Sequence, residues 1–177
     1  MRVETSIEGV VLRPWRQGDQ ASLVAIANSR RVWRNLTDLF PHPYTAADAD
    51  RWIGFTMSMG RDRHLAVEVG GRLAGGVGAI AGEGIRRRTA QFGYWLGEPF
   101  WGRGIASAST KAFVEHLEPA CDFVRLEAAV FEWNPASMRV LEHAGFLREG
   151  VLRKSVSKDG EIIDCVMYSY VIGVQPS

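Results

Sequence analysis

The sequence predicts an α/β domain built on a mixed sheet flanked by helices. Strand-like alternation and helix-like periodicity succeed each other in the order β-α-α-β-β-β-α-β-α-β-β. Tight turns at Gly70-Gly71 and at Lys158-Asp159-Gly160 join neighbouring strands as hairpins. No internal repeat, low-complexity stretch or linker interrupts the chain, so residues 1–177 are expected to form a single domain.

Residues 7–13 read as a first strand, closed by Pro14. Gly18 and Asp19 then open a helix whose apolar positions Leu23, Ile26, Ala27 and Trp33 recur at helical spacing. Leu39 to Thr45 cannot be helical, because Pro41 and Pro43 push the residues before them out of the α region. Thr45 with Asp48 resembles a capping box, starting a second helix that carries Trp52, Ile53, Phe55 and Met59. His64–Val69 and Arg72–Ile80 alternate as strands, and Thr89–Leu96 follows a loop rich in glycine and arginine. Gly97 and Pro99 stop that strand. A third helix runs from Gly104 to about Glu118, with Ile105, Ala108, Ala112, Phe113 and Leu117 on one face. Phe123–Val130 is a strand. Asn134 and Pro135 suit an N-cap and first turn, so a short helix reaches about Ala144 and Gly145 ends it. Phe146–Ser157 and Glu161–Ile172 form the last hairpin.

Composition narrows the function. A hydrophobic fraction of 46% and a charged fraction of 23% can build a core. Lys and Arg total 21 against 20 Asp and Glu, a net charge of +1. No global field for nucleic acid or an anionic membrane follows, only room for a local basic patch. Cys121 and Cys165 are too few for a disulfide framework or zinc cluster, and no histidine has metal-ligand spacing. The N-terminus lacks an apolar leader and no run nears the ~20 apolar residues of a membrane span, so the cytoplasm is expected.

Chemistry begins at Phe100-Trp101-Gly102-Arg103-Gly104-Ile105-Ala106-Ser107. Two glycines stand one residue apart, after a strand and before a helix. Without Cβ atoms they let backbone amides approach a bulky anion, which the helix N-terminus then holds. A plain strand-to-helix turn would look the same. No Gly-Lys-Ser/Thr follows, and the third glycine and downstream acid of a dinucleotide fingerprint are missing. The pyrophosphate of coenzyme A fits what is left.

Four segments now carry a resemblance: FPHPYTAADADRWI, FGYWLGEPFWGRGIASAS, WNPASMRVLEHAGF and LREGVLRKSVSKDGEIIDCVMYS. In order and spacing they resemble the GNAT superfamily of acetyl-CoA-dependent N-acetyltransferases. Within it they resemble the RimJ/RimL-type branch, which acts on ribosomal-protein N-termini. The resemblance implies a mixed, mostly antiparallel seven-stranded sheet with about four helices, and acetyl-CoA as cosubstrate without a metal. It implies pyrophosphate binding by Trp101 to Ser107. Pantetheine would lie along Tyr94, Trp95 and Leu96 on a bulged strand that splays from its neighbour. An amide near Trp95 or Leu96 would face the thioester oxygen, Asn134 would touch pantetheine, and Ser137 would stand near the sulfur.

The chain departs from the family pattern twice. Pro99 replaces the usual Gln or Arg that opens the pyrophosphate motif, and Gln91 stands where many relatives carry Glu. A glutamine cannot accept a proton as a general base. Glu98, Glu132 or Asp164 could serve through water instead. The amine must be neutral to attack, and an α-amine titrates near 7.7–8.0 where lysine needs about 10.4, roughly 3 kcal/mol apart. Gln91 therefore favours an α-amine acceptor. The resemblance places that acceptor against Trp33, Asp38, His42, Tyr44, Gln91 and Trp133. Arg86-Arg87-Arg88 suits a CoA 3′-phosphate, an acidic partner such as ribosomal RNA, or a solvated loop.

The leading expectation is acetylation of a protein or peptide N-terminal amine, by a monomer or homodimer without strong nucleic-acid or membrane binding. Amino acids, aminoacyl conjugates, polyamines and aminoglycosides are alternative acceptors, and a non-catalytic acyl-CoA sensor is the alternative of another class.

Overall fold

The computed structural model describes residues 1–59, 63–118 and 121–173. Eight strands form one sheet in the order β1-β2-β3-β4-β5-β6-β8-β7. In chain order they are β1 (Val3–Glu4), β2 (Val10–Pro14), β3 (His64–Val69), β4 (Arg72–Ala81), β5 (Thr89–Leu96), β6 (Arg125–Phe131), β7 (Leu147–Lys158) and β8 (Glu161–Val171). Every neighbouring pair is antiparallel except β5 and β6. The strand beyond the expected seven is β1, whose two residues are too few to show alternation.

Among the described residues there are five α-helices: α1 (Gln20–Ala27), α2 (Arg30–Trp33), α3 (Ala46–Ser58), α4 (Ile105–Leu117) and α5 (Pro135–His143). Where one helix was expected from Asp19 to Trp33, the chain breaks at Asn28 and Ser29. The Ser29 hydroxyl accepts the amide of Val32 at 3.3 Å and starts a new turn. Serine offers the backbone this competing bond, which the apolar spacing does not reveal. The capping box at α3 is present: Thr45 Oγ1 accepts from the Asp48 amide and Asp48 Oδ2 from the Thr45 amide.

Successive side chains of β5 point to opposite faces. Ala90, Phe92 and Leu96 join the core beneath α4 and α5, where Phe92 meets Phe113 and Phe146 with centroids 6.0 and 5.1 Å apart. Trp95 joins the other face with Trp15, Leu23, Ala27 and Ile53, under α1 and α3. The glycines of β4 let large rings lie against the sheet. A Cβ on Gly76 would come within 2.8 Å of Trp15 Cζ2, and one on Gly78 would collide with the His64 ring.

Candidate active site

The two strands at the centre of the sheet part company. β5 and β6 pair only at Thr89–Arg125, Ala90–Leu126 and Gln91–Glu127. Beyond these residues they diverge, and backbone groups that a ladder would consume are left along both edges. Gly97 donates to the Ala74 carbonyl (2.9 Å) and Thr89 accepts from Gly82 (2.8 Å), both on the β4 side. Because pairing groups alternate, Gln91, Gly93 and Trp95 are turned to β4, whereas Phe92, Tyr94 and Leu96 are turned to the opening. The same reasoning applies to β6, where Glu132 donates to Asp164 (3.1 Å) across β8, so Ala129 and Phe131 face the opening. Of the two positions expected to offer an amide, Leu96 has its N–H turned to the opening and Trp95 has its own turned to β4. The register between β4 and β5 runs unbroken from Ala90 to Leu96, so the expected bulge does not interrupt that pairing.

At the upper end of β5 the chain turns through a short 3-10 segment, Glu98–Phe100, into the glycine loop. Gly102 and Gly104 have φ of +71° and +72°, left-handed values that favour glycine. A Cβ on Gly102 would meet nothing within 4 Å, so the loop presents bare backbone to open space. Gly104 caps α4 without a side-chain hydrogen bond, and no acid stands in the first turn. The amides of Ile105, Ala106 and Ser107 are thus free for an anion, with the helix dipole behind them. The Ile105 side chain is buried, so only its backbone belongs to this cradle. The Trp101 indole donates to the Leu96 carbonyl at 2.8 Å and pins the loop to the strand.

Across the opening stands α5. Asn134 caps it, its Oδ1 accepting from the Ser137 amide at 3.1 Å. The Ser137 hydroxyl lies 2.8 Å from the Tyr94 hydroxyl. Burial pushes the Tyr94 phenol up to about 12, so it stays protonated at neutral pH.

The candidate bases are each held by other groups. Glu98 accepts from the Ser29 hydroxyl and pairs with Arg31 at 2.6 Å. Glu132 accepts from the Asp164 amide at 2.8 Å, and Asp164 accepts from the Lys154 amide at 2.9 Å. Glu127, beside Gln91 across the strand pair, is shared by Arg86 and Arg125.

The short helix α2 and its C-cap residue Arg34 reach both sides of the mouth. Arg31 lies 5.2 Å from the Trp101 ring centroid and Arg34 lies 4.0 Å from that of Trp133. Arg30 and Arg34 also reach Asp159 and Glu161 in the last hairpin. Lys158 is buried with its ammonium 3.8 Å from the Trp33 ring centroid and 2.6 Å from Asp38. His42 packs on Trp33 at 5.8 Å.

The domain description "Acetyltransferase (GNAT) domain" matches residues 10–147. The chain belongs to the GNAT acetyltransferase family. A Bacillus subtilis relative, the SPbeta prophage-derived uncharacterized N-acetyltransferase YokL, is 27% identical over 77% of this chain and 76% of its own length. The ribosomal-protein-serine acetyltransferase of Escherichia coli is 31% identical over 50% of this chain and 49% of its own. Among solved structures, RimL, a ribosomal L7/L12 α-N-protein acetyltransferase in complex with coenzyme A, superposes with a TM-score of 0.85 at 23% identity. It covers 97% of this chain and 98% of that one. Spermidine N-acetyltransferase from Vibrio cholerae gives 0.79 at 20% identity, covering 94% and 97%.

Within this GNAT enzyme, the site residues named from the sequence divide into three groups. Tyr94, Leu96, the Trp101–Ser107 loop, Asn134 and Ser137 meet around the opening. Trp33, Asp38, His42 and Trp133 gather on the α2 side of its mouth, while Gln91 is exposed where the strands begin to part. Tyr44, expected at the acceptor side, is instead buried at 5% exposure in the α1–α3 core, its ring tilted against Phe40 at 4.9 Å. Arg86–Arg88 lie at the opposite end of β5 from the glycine loop. That is roughly 25 Å away at about 3.3 Å per residue, too far for the same cofactor phosphate group. The sequence reading missed the contact between Tyr94 and Ser137 and the bridging by Arg31 and Arg34. Only the chain's return of α5 beside β5 creates the first, and no local pattern announces it.

Proposed function

We propose that this chain is a single-domain cytoplasmic enzyme that transfers the acetyl group of acetyl-CoA to the N-terminal α-amine of a protein or peptide. The observation carrying the acceptor class is that, among the described residues, the carboxylates around the opening are already engaged. Glu98, Glu127, Glu132 and Asp164 each accept hydrogen bonds from neighbouring protein groups. Asp38, Asp159 and Glu161 are matched by Lys158, Arg30 and Arg34. No strong base is left over to deprotonate a lysine, and no surplus acid to collect a polycation. An amine that is substantially neutral near pH 7 suits this site best.

The residues fit coenzyme A. Side-chain-free glycines and the unpaired amides of Ile105, Ala106 and Ser107 suit a pyrophosphate, and the divergent strand edges suit the amides of pantetheine. Acetyl-CoA, when bound, supplies a thioester carbonyl open to attack. The Leu96 amide, with Tyr94 beside it, stabilises the negative charge that develops on the carbonyl oxygen. The Tyr94 and Ser137 hydroxyls share a hydrogen bond, and with Tyr94 as its donor the serine proton is directed to the departing sulfur. Asn134 keeps Ser137 in place by capping its helix. Trp33, His42 and Trp133 line the approach of the acceptor.

Thiol release from acetyl-CoA against short peptides, free amino acids, polyamines and aminoglycosides, with mass spectrometry of products, tests this. Peptide α-amines are expected to react with the highest kcat/KM. Faster turnover of a polyamine, aminoglycoside or lysine side chain would overturn the acceptor assignment. Tight CoA binding with no acetylated product would favour a sensor.

A further inference from the structure

We propose that Arg63, Arg87 and Arg88 form a second anion site, one that takes the phosphodiester backbone of a single-stranded nucleic acid. These residues surround a cavity of about 420 Å³ at the end of the sheet where β3, β5 and β6 begin. The site does not rest on the acetyl-transfer reading, and the length of β5 separates it from the glycine loop.

The three arginines differ from Arg86 beside them, whose guanidinium is spent on Glu127. Arg63 lies 5.0 Å from the Phe123 ring centroid, an aromatic contact that leaves its charge unmatched by any carboxylate among the described residues. Arg88 gives only its Nε to the Asp122 carbonyl, at 2.9 Å. Arg87 reaches the Gly84 carbonyl at 3.5 Å, the outer limit of a hydrogen bond. Among the described residues none of the three has a carboxylate within 4.0 Å, although Asp122 lines the same cavity. Like charges gathered around one hollow repel one another, and an anion removes that repulsion.

Guanidinium forks match the paired oxygens of a phosphate, and these come from two separate chain segments around a space too large for one such group. Successive phosphates of one strand meet that arrangement better than a single free ion. With a net charge of +1 on the whole chain, the interaction is local, modest in affinity and sensitive to salt.

Fluorescence anisotropy with a labelled single-stranded RNA of about 12 nucleotides, titrated in roughly 50–200 mM KCl, reads the site. Three phosphate contacts give a slope of log K against log salt near −2 for a single strand. Arg87→Ala/Arg88→Ala should weaken binding about tenfold or more at 50 mM salt and bring the slope to about −0.7. Arg88→Lys, which keeps the charge but loses the fork, should weaken binding less than the double alanine variant, and Arg148→Ala on β7 should retain all of it. Thermal melts of each variant report whether the fold is kept. Wild-type binding by the double variant, displacement of RNA by saturating CoA, or equal competition by poly-glutamate would each overturn the proposal.

Discussion

Among the described residues the hydroxyl of Ser137 has one partner, the Tyr94 phenol at 2.8 Å, and a fixed backbone behind it through Asn134. If it donates to the leaving sulfur, Ser137→Ala lowers kcat about 100-fold while the affinity for CoA changes little. Tyr94→Phe should cost less, about tenfold in kcat, since it only frees the serine to rotate. Equal falls in kcat and CoA affinity would assign both residues to binding alone. His64 supports a prediction of another kind. Burial between Trp52, Phe55 and β4, with Arg63 adding to it, pushes its pKa down to about 4. The unfolded chain titrates near 6.5, so between those values the unfolded state binds the extra proton. Stability is therefore full above about pH 6.5 and falls as pH drops towards 4, by about 3 kcal/mol from this residue. Urea unfolding at about pH 7 and pH 4.5 should show His64→Phe losing that part of the pH dependence. An unchanged dependence would mean the imidazole is not held neutral.

Elements carry the next two predictions, and they show why some features are legible in a sequence. The glycine loop could be read because its signal is local: two glycines, a strand before and a helix after. Gly102→Val places a branched side chain at φ +71°, in the space where phosphate oxygens would lie. The strained backbone costs about 1–2 kcal/mol, which lowers the melting temperature modestly, whereas CoA affinity should be lost. Retained affinity, measured by calorimetry, would remove the loop from the cofactor site. The glycines of β4 carry no such local signal. Gly75 reads as an ordinary weak position in a strand, yet a Cβ there would collide with the Trp95 carbonyl oxygen of the neighbouring strand. Gly75→Ala should therefore destabilise by about 1–3 kcal/mol or more, against the slight gain that alanine brings at an open site. Thermal unfolding checks the sign. The break at Ser29 and the two-residue β1 escaped prediction for a related reason: each depends on one hydrogen bond or one neighbouring strand, and neither alters the apolar period.

At the scale of the whole molecule, the sheet is two pieces joined at a narrow seam. β1 to β5 pair continuously and β6 to β8 pair continuously, but β5 and β6 share only three residue pairs. The opening above that seam holds the proposed chemistry, and α2 spans its mouth. Its ties are Arg31 to Trp101 and Glu98 on the β5 side, and Arg30 and Arg34 to Trp133, Asp159 and Glu161 on the β6 and hairpin side. The residue types were visible in the sequence as a mixed-charge stretch, but their division between two banks of a cleft exists only after folding. Ion pairs this exposed contribute about 0–1 kcal/mol each, so they do not hold the fold together. Their consequence is positional: they set how far α2 stands from the hairpin, and hence the width of the proposed acceptor approach. Arg31→Ala/Arg34→Ala should shift the melting temperature by only a few degrees. It should raise KM for a peptide acceptor several-fold while leaving KM for acetyl-CoA nearly unchanged, since the glycine loop and strand edges stay in place. Raising salt should move the wild type in the same direction, because screening weakens the same contacts. A double variant whose acceptor KM matches the wild type at low salt would show that α2 stands clear of the acceptor's path.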